Sequence, residues 1–240
     1  MQLHDFALIF LAFVSELLGT VSGFGSSTFF VPTALLLETF TFVLALTAIL
    51  HCFGNVFKIF LFRQHLNWKI IARLALPALV FTALGAALIE YTSVSWLQTA
   101  LGVFLVAFAV FKLFFKEGDW TPPRFAGQAL SALSGFLTGF VGTGGAVRGV
   151  ALSSLNLSKD SFVAVSATID IGGDFLRAGI YIANGYMDWR QWFYLPLLLL
   201  AALAGARLGK LLLGRINQAQ FEKVVASFIF ISGLLMIFKG

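Results

Sequence analysis

Long apolar runs separated by short polar breaks make up nearly the whole chain. The first run covers 6–37 and is interrupted at Gly19–Ser27, and uninterrupted runs follow at about 41–62, 70–91 and 94–115. A hydrophilic stretch, Lys116-Glu117-Gly118-Asp119-Trp120-Thr121-Pro122-Pro123-Arg124, closes this series. The series then recurs: an interrupted run at about 125–156, then runs at about 161–184, 190–213 and 219–238. A helix crosses the hydrocarbon core with about 20 apolar residues, so each uninterrupted run predicts one membrane-crossing helix. The predicted class is an all-α integral membrane protein of two homologous halves, each with a glycine-broken segment plus three spanning helices.

The recurrence holds residue by residue at a shift of 119–121 positions. Gly19 matches Gly139, Gly25 matches Gly145, Gly54 matches Gly173, Lys58 matches Arg177, Trp68 matches Trp189, Pro77 matches Pro196 and Gly85 matches Gly205. Apolar composition alone does not repeat Trp, Pro and a basic residue in the same order. The expected division is a first repeat at 1–115, a linker at 116–124 and a second repeat at 125–240, forming one integrated membrane domain. Charge sets the expected orientation. Lys58, Arg63, Lys69 and Arg73 surround one loop, Lys112, Lys116 and Arg124 the linker, and Arg207, Lys210, Arg215 and Lys223 the last loop; Glu38 and Glu90 mark poorly charged loops. Basic loops stay cytoplasmic. All three basic regions share a side only if each interrupted run enters and returns on one face. Each half then has an odd number of spans, and the halves are inverted relative to each other. The competing arrangement, with interrupted runs that cross fully and parallel halves, fits the charges less well.

Composition agrees with a membrane protein. Of 240 residues, 59% are hydrophobic and 11% charged, against about 25% charged in soluble domains; mean hydropathy is +0.93. The net charge of +5 gathers at the ends of apolar runs, so it points to membrane topology and not to nucleic acid. One cysteine, Cys52, excludes an intrachain disulfide and a multi-cysteine metal site, and no metal or cofactor is expected. The N-terminus lacks the basic stretch of a cleaved signal peptide, and no Walker motif supports ATP-driven transport.

The glycine clusters read Gly23-Phe24-Gly25-Ser26-Ser27 with Pro32 beyond, and Gly142-Thr143-Gly144-Gly145 with Leu152 near the corresponding position. With the size and the duplication, they make the chain resemble the sulfite exporter TauE/SafE family of anion transporters, whose repeats each carry a G-x-G-G-G-like motif followed by proline. The resemblance covers nearly the whole chain. It implies a secondary transporter of sulfite, thiosulfate, sulfonates or related small anions, in the bacterial cytoplasmic (inner) membrane, with either direction of transport open. The expected partners are a small anion, the lipid bilayer, protons as a coupling ion and, in a homodimer, a second copy of the chain.

The residues at the breaks suit an anion. Backbone interrupted at membrane depth is tolerated where it is buried in protein or lines a wet cavity. Glycine permits φ > 0 and close approach of a ligand, and exposed amides at the start of the next helix form a positive concavity. The candidate binding residues are Gly23, Gly25, Ser26, Ser27, Thr143, Gly144, Gly145 and Arg148, with Thr28 as a further hydroxyl donor. The competing reading of the glycines is tight helix packing. A guanidinium within the bilayer is costly and usually functional, and its planar fork fits an oxyanion; the competing reading of Arg148 is an ion pair. Beyond the breaks, Asp170, Asp174 and Arg177 share one helical face, matched by His51, Asn55 and Lys58, with Ser166 and Thr47 one turn earlier. Candidate coupling groups are Glu16, His51, Asp170, Asp174 and Arg177. Asp174 and Arg177 also suit mutual neutralisation, Lys58 suits snorkelling to the interface, Glu16 suits a partner for Arg148 or a neighbouring helix, and Arg207 suits the cavity or the interface. A passive anion channel and an intramembrane enzyme using Asp170, Asp174 and His51 are the alternatives; no protease motif supports the second.

Overall fold

The structure, a computed structural model, describes residues 3–114, 126–153, 155, 157–213, 215 and 218–239. The linker expected at 116–124, with Lys116, Trp120 and Arg124, lies outside the described residues, as do the side chains of Lys112 and Lys223. No strand occurs among the described residues. The elements are α1 (Leu3–Ser22), α2 (Ser27–Ala34), α3 (Phe40–Leu61), α4 (Trp68–Leu88), α5 (Val94–Phe114), α6 (Ala126–Val141), α7 (Gly145–Ser153), α8 (Lys159–Ala183), α9 (Tyr194–Leu213) and α10 (Gln218–Lys239), with single 3₁₀ turns at 63–65, 89–91 and 189–191. Each expected run is a helix, and each interrupted run is two helices separated by glycines.

Among the described residues, five helices are long and apolar enough to cross a membrane: His4–Ser22, Phe40–Leu61, Trp68–Tyr91, Val94–Phe111 and Tyr194–Leu213. The 25-residue α8 has the length but carries Asp170, Asp174 and Arg177 at its middle, so it is absent from that set. Large apolar side chains such as Phe6, Phe10, Phe60, Leu76, Leu200 and Phe238 face outward. That surface suits lipid and would be a liability in water. The protein is an integral membrane protein with a helical-bundle fold.

The long helices pair across the chain. α1 lies along α9, α6 along α4, α5 along α10, and α3 along α8. Small residues make these approaches close, as membrane helices require. Gly205 and Gly209 of α9 sit against the α1 backbone at Phe13 and Leu17, and Gly135 and Gly139 of α6 against α4 at Ala78 and Thr82. Ser131 Oγ adds an interhelical hydrogen bond to the Leu74 carbonyl at 2.8 Å. Between α3 and α8, Asn55 Nδ2 donates to Asp174 Oδ2 at 2.6 Å; these residues hold matching positions under the 119-residue shift.

Contacts also tie the helix ends together. The start of α1 meets the turn after α2 through His4 Nε2 and Glu38 Oε1 at 2.5 Å, and Tyr194 at the start of α9 donates to Asp5 at 2.5 Å. Elsewhere His65 Nε2 lies 3.5 Å from Asp160 at the start of α8. Lys210 of α9 donates to the Leu61 carbonyl at 2.5 Å and sits 4.9 Å over the Phe62 ring. The basic residues Arg63, Lys69, Lys159, Lys210 and Arg215 therefore belong to elements gathered around that second set of contacts, and Glu38 to the first.

Candidate functional site

Two glycine bends bring the site together. α1 ends at Ser22 and α2 begins at Ser27; between them Gly23 has φ +74° and Gly25 φ +84°. α6 ends at Val141 and α7 begins at Gly145, with Gly142 at φ +82°. These are left-handed conformations that side chains other than glycine adopt only with strain. The two bends touch. Ser27 Oγ donates to Thr143 Oγ1 at 3.3 Å, Thr28 Oγ1 lies 3.4 Å from Thr143 Oγ1, and Gly145 abuts the Phe24 carbonyl so closely that no Cβ would fit.

A small cavity opens beside this junction. Gly23, Gly25, His51, Asn55, Lys58, Arg148, Ser166 and Asp170 contribute to its walls, and it has room for about one water molecule. Among the sequence candidates, Gly23, Gly25, His51, Arg148 and Asp170 thus meet around it. Ser26, Ser27, Thr143, Gly144 and Gly145 sit in the junction behind it, where Gly144 packs against the Ser134 carbonyl. Glu16, Asp174 and Arg177 form an outer layer. Arg207 faces outward.

The charges are arranged in pairs. Arg148, only 2% exposed, donates from Nε to Ser166 Oγ at 2.7 Å and forms an ion pair with Asp170. Arg177 donates from Nε to Asp174 Oδ1 at 3.0 Å, and from Nη1 to the carbonyls of Thr138 at 3.1 Å and Gly142 at 3.4 Å. It thereby binds the carbonyl end of α6, where the helix dipole is negative. Lys58 Nζ lies 2.8 Å from Glu16 Oε1. The sequence suggested snorkelling for Lys58; instead it is buried, because α1 presents a carboxylate to it. Glu16 pairs with Lys58 and not with Arg148. The expected Asp174–Arg177 pair is present, while Asp170 goes to Arg148.

His51 lies between the first bend and α8. Its Nε2 accepts the Ser27 backbone N–H at 2.9 Å, so one of the amides at the start of α2 is already engaged. Its Nδ1 faces Asp174 Oδ1 at 3.5 Å, a loose contact. His51, Asp170 and Asp174 bring ligand-capable atoms within 4.8 Å of one another. Each is held by the partners just named, and we assign them no metal. Sequence reasoning undervalued Lys58, Asn55 and Ser166 as wall residues; their place on the same helical faces as His51 and Asp170 was the signal.

Long apolar helices around a buried, charge-paired cavity at two helix breaks define a polytopic membrane protein with an enclosed polar site. The family model described as "Sulfite exporter TauE/SafE" matches residues 8–236, and the chain belongs to that family of membrane anion transporters. In the same comparisons no curated protein and no solved structure matched the chain.

Proposed function

We propose that the protein is a secondary transporter of small sulfur-containing anions, of the sulfite, thiosulfate or organosulfonate class. The anion sits where the two glycine bends meet, and Arg148 is its principal ligand. The observation that carries this reading is the buried Arg148 guanidinium on the wall of a cavity shared with Gly23 and Gly25 of the other broken segment. A guanidinium offers paired donors to an oxyanion, and the adjoining helix starts add positive potential. Asp170 and Ser166 hold Arg148 until substrate arrives. The cavity admits a water-sized occupant, so substrate entry requires the bends to move apart, as alternating access demands.

In this reading the halves, 1–115 and 125–240, are inverted repeats, each with a segment that enters and leaves on one face. Three contacts support it: His4 with Glu38 joins both ends of the α1–α2 segment, His65 with Asp160 brings the start of α8 beside the end of α3, and matching residues Asn55 and Asp174 meet. The basic end faces the cytoplasm, and the membrane is the bacterial cytoplasmic (inner) membrane.

The test is counterflow in proteoliposomes with sulfite, thiosulfate and methanesulfonate as probes. Wild type should accelerate uptake of labelled probe when unlabelled probe is trapped inside. Arg148→Ala should weaken apparent affinity by about tenfold to a hundredfold, the scale of one or two charge-assisted hydrogen bonds. The double variant R148A/D170N removes both charges and controls for misfolding. Unchanged transport in the folded double variant removes Arg148 from the role. Flux without counterflow replaces the transporter with a channel.

A further inference from the structure

His51 holds a hydrogen bond that a single proton abolishes. Its Nε2 accepts from the Ser27 amide, so the neutral ring carries its hydrogen on Nδ1, toward Asp174. A second proton can enter only at Nε2. The ring nitrogen then becomes a donor facing another donor, the Ser27 N–H. Two donors cannot bond each other, and together they call for an acceptor between them.

The surroundings supply both a stabiliser for that proton and a place for that acceptor. From α8 come Asp170, Asp174 and Arg177, and from α7 comes Arg148; on α3 itself lies Lys58, neutralised by Glu16 of α1. A Cβ built on Gly25 would lie 3.5 Å from Arg148 Nη2 and 3.7 Å from His51 Cε1, so the guanidinium, the imidazole and the bend surround one point. The cluster is electroneutral when the ring is neutral: Lys58, Arg148 and Arg177 balance Glu16, Asp170 and Asp174, all buried. An anion entering alone would leave an uncompensated charge in a low-dielectric site. Imidazole takes up a proton near neutral pH more readily than any other side chain.

We propose that His51 is the proton-binding residue of the transport cycle, and that protonated Nε2 and the Ser27 amide form a two-donor seat for one oxygen of the anion, beside Arg148. This rests on the anion-transporter reading above. The proton comes from the aqueous phase, goes onto Nε2, and leaves with the anion; Asp174 faces the Nδ1–H throughout. Proton and anion therefore bind cooperatively and move in the same direction, one proton per anion, which offsets the whole charge of a monoanion such as methanesulfonate and one of the two charges of thiosulfate.

Binding of thiosulfate and methanesulfonate, neither of which takes up a proton near neutral pH, isolates the protein's own proton. By linkage, wild-type affinity should weaken by up to about tenfold per unit as pH is raised, with uptake approaching one proton per anion by calorimetry in buffers of different ionisation heat. His51→Gln, whose amide oxygen can still accept the Ser27 N–H, should bind more weakly and without that slope, and its counterflow should no longer respond to a pH gradient. A slope that persists in His51→Gln, or that disappears only in Asp170→Asn, overturns the proposal. If His51→Gln does not fold, the wild-type ring decides. His51 is the sole histidine left in a His4→Gln/His65→Gln protein, and its ¹⁵N resonances should move to imidazolium positions when thiosulfate is added. A ring that stays neutral overturns the proposal while leaving the transporter standing. Absence of binding and counterflow for every probe in wild type removes the transporter reading and this inference with it.

Discussion

At the end of α6, Arg177 spreads across the Asp174 carboxylate and the carbonyls of Thr138 and Gly142. At the matching position in the first half, Lys58 reaches a single carboxylate, Glu16. The bend after α6 is thus tied to α8 by backbone as well as charge, while the bend after α1 is tied to α3 through the Ser27–His51 bond. Both breaks use left-handed glycines, yet the second is fastened by a guanidinium, which keeps its charge, and the first by an imidazole, the side-chain type best suited to gain or lose a proton near neutral pH. Bends of similar backbone are fastened by different chemistry, and in the proposed cycle the first is the one that a proton releases.

Removing each cation should have the largest effect. Arg177→Ala strands the buried Asp174 and the α6 carbonyls, and should cost about 3–5 kcal/mol of stability, as removal of one partner from a buried pair does. The isosteric double variant E16Q/K58M removes both charges of the first-half pair and should be nearly neutral, within about 1 kcal/mol. Thermal unfolding in detergent measures both, and equal losses would erase the asymmetry. A middle-sized effect separates the bends themselves. Gly25→Ala and Gly142→Ala should each cost about 1–2 kcal/mol from the φ > 0 backbone. At Gly142 the new methyl meets the movable end of Leu44, whereas at Gly25 it enters the space beside Arg148 and His51. Counterflow should therefore fall more in Gly25→Ala at similar stability. The smallest effect concerns the end clasps. His4→Gln and His65→Gln break partly exposed pairs and should each change stability by less than about 1 kcal/mol, the less so at high salt. A larger loss at His4 alone would mean that the first segment depends on its clasp more than the second.

Periodicity and glycine placement made much of the architecture readable in advance. Apolar runs of span length became helices, and Gly23, Gly25 and Gly142 became the bends. The i, i+4, i+7 spacing put Asp170, Asp174 and Arg177 on one buried face. Partner choice was not readable, because it is made across the fold. Ser27 meets Thr143 at a separation of 116 residues and Asn55 meets Asp174 at 119, and no local pattern encodes such a choice. Lys58 misled for the same reason. Near the end of its own helix it has a path to the interface, and only the approach of α1 supplies Glu16 to keep it inside. The glycines divided between two uses that look alike in sequence: Gly25 opens onto the cavity, whereas Gly144 and Gly145 permit backbone to meet backbone.

The polarity of α8 bears on how the chain is made. Asp170, Asp174 and Arg177 at mid-helix each raise the cost of lateral release into lipid by about 2.5–3.5 kcal/mol on insertion scales. Isolated, this segment is a poor candidate for release from the translocation machinery as a lone hydrophobic stretch. Its compensating groups sit on neighbours synthesised earlier: His51 and Asn55 on α3, the α6 carbonyls, and Arg148 on α7. Synthesis order thus places a receptive polar surface in the membrane before the helix that needs it, and α8 enters by docking onto finished partners.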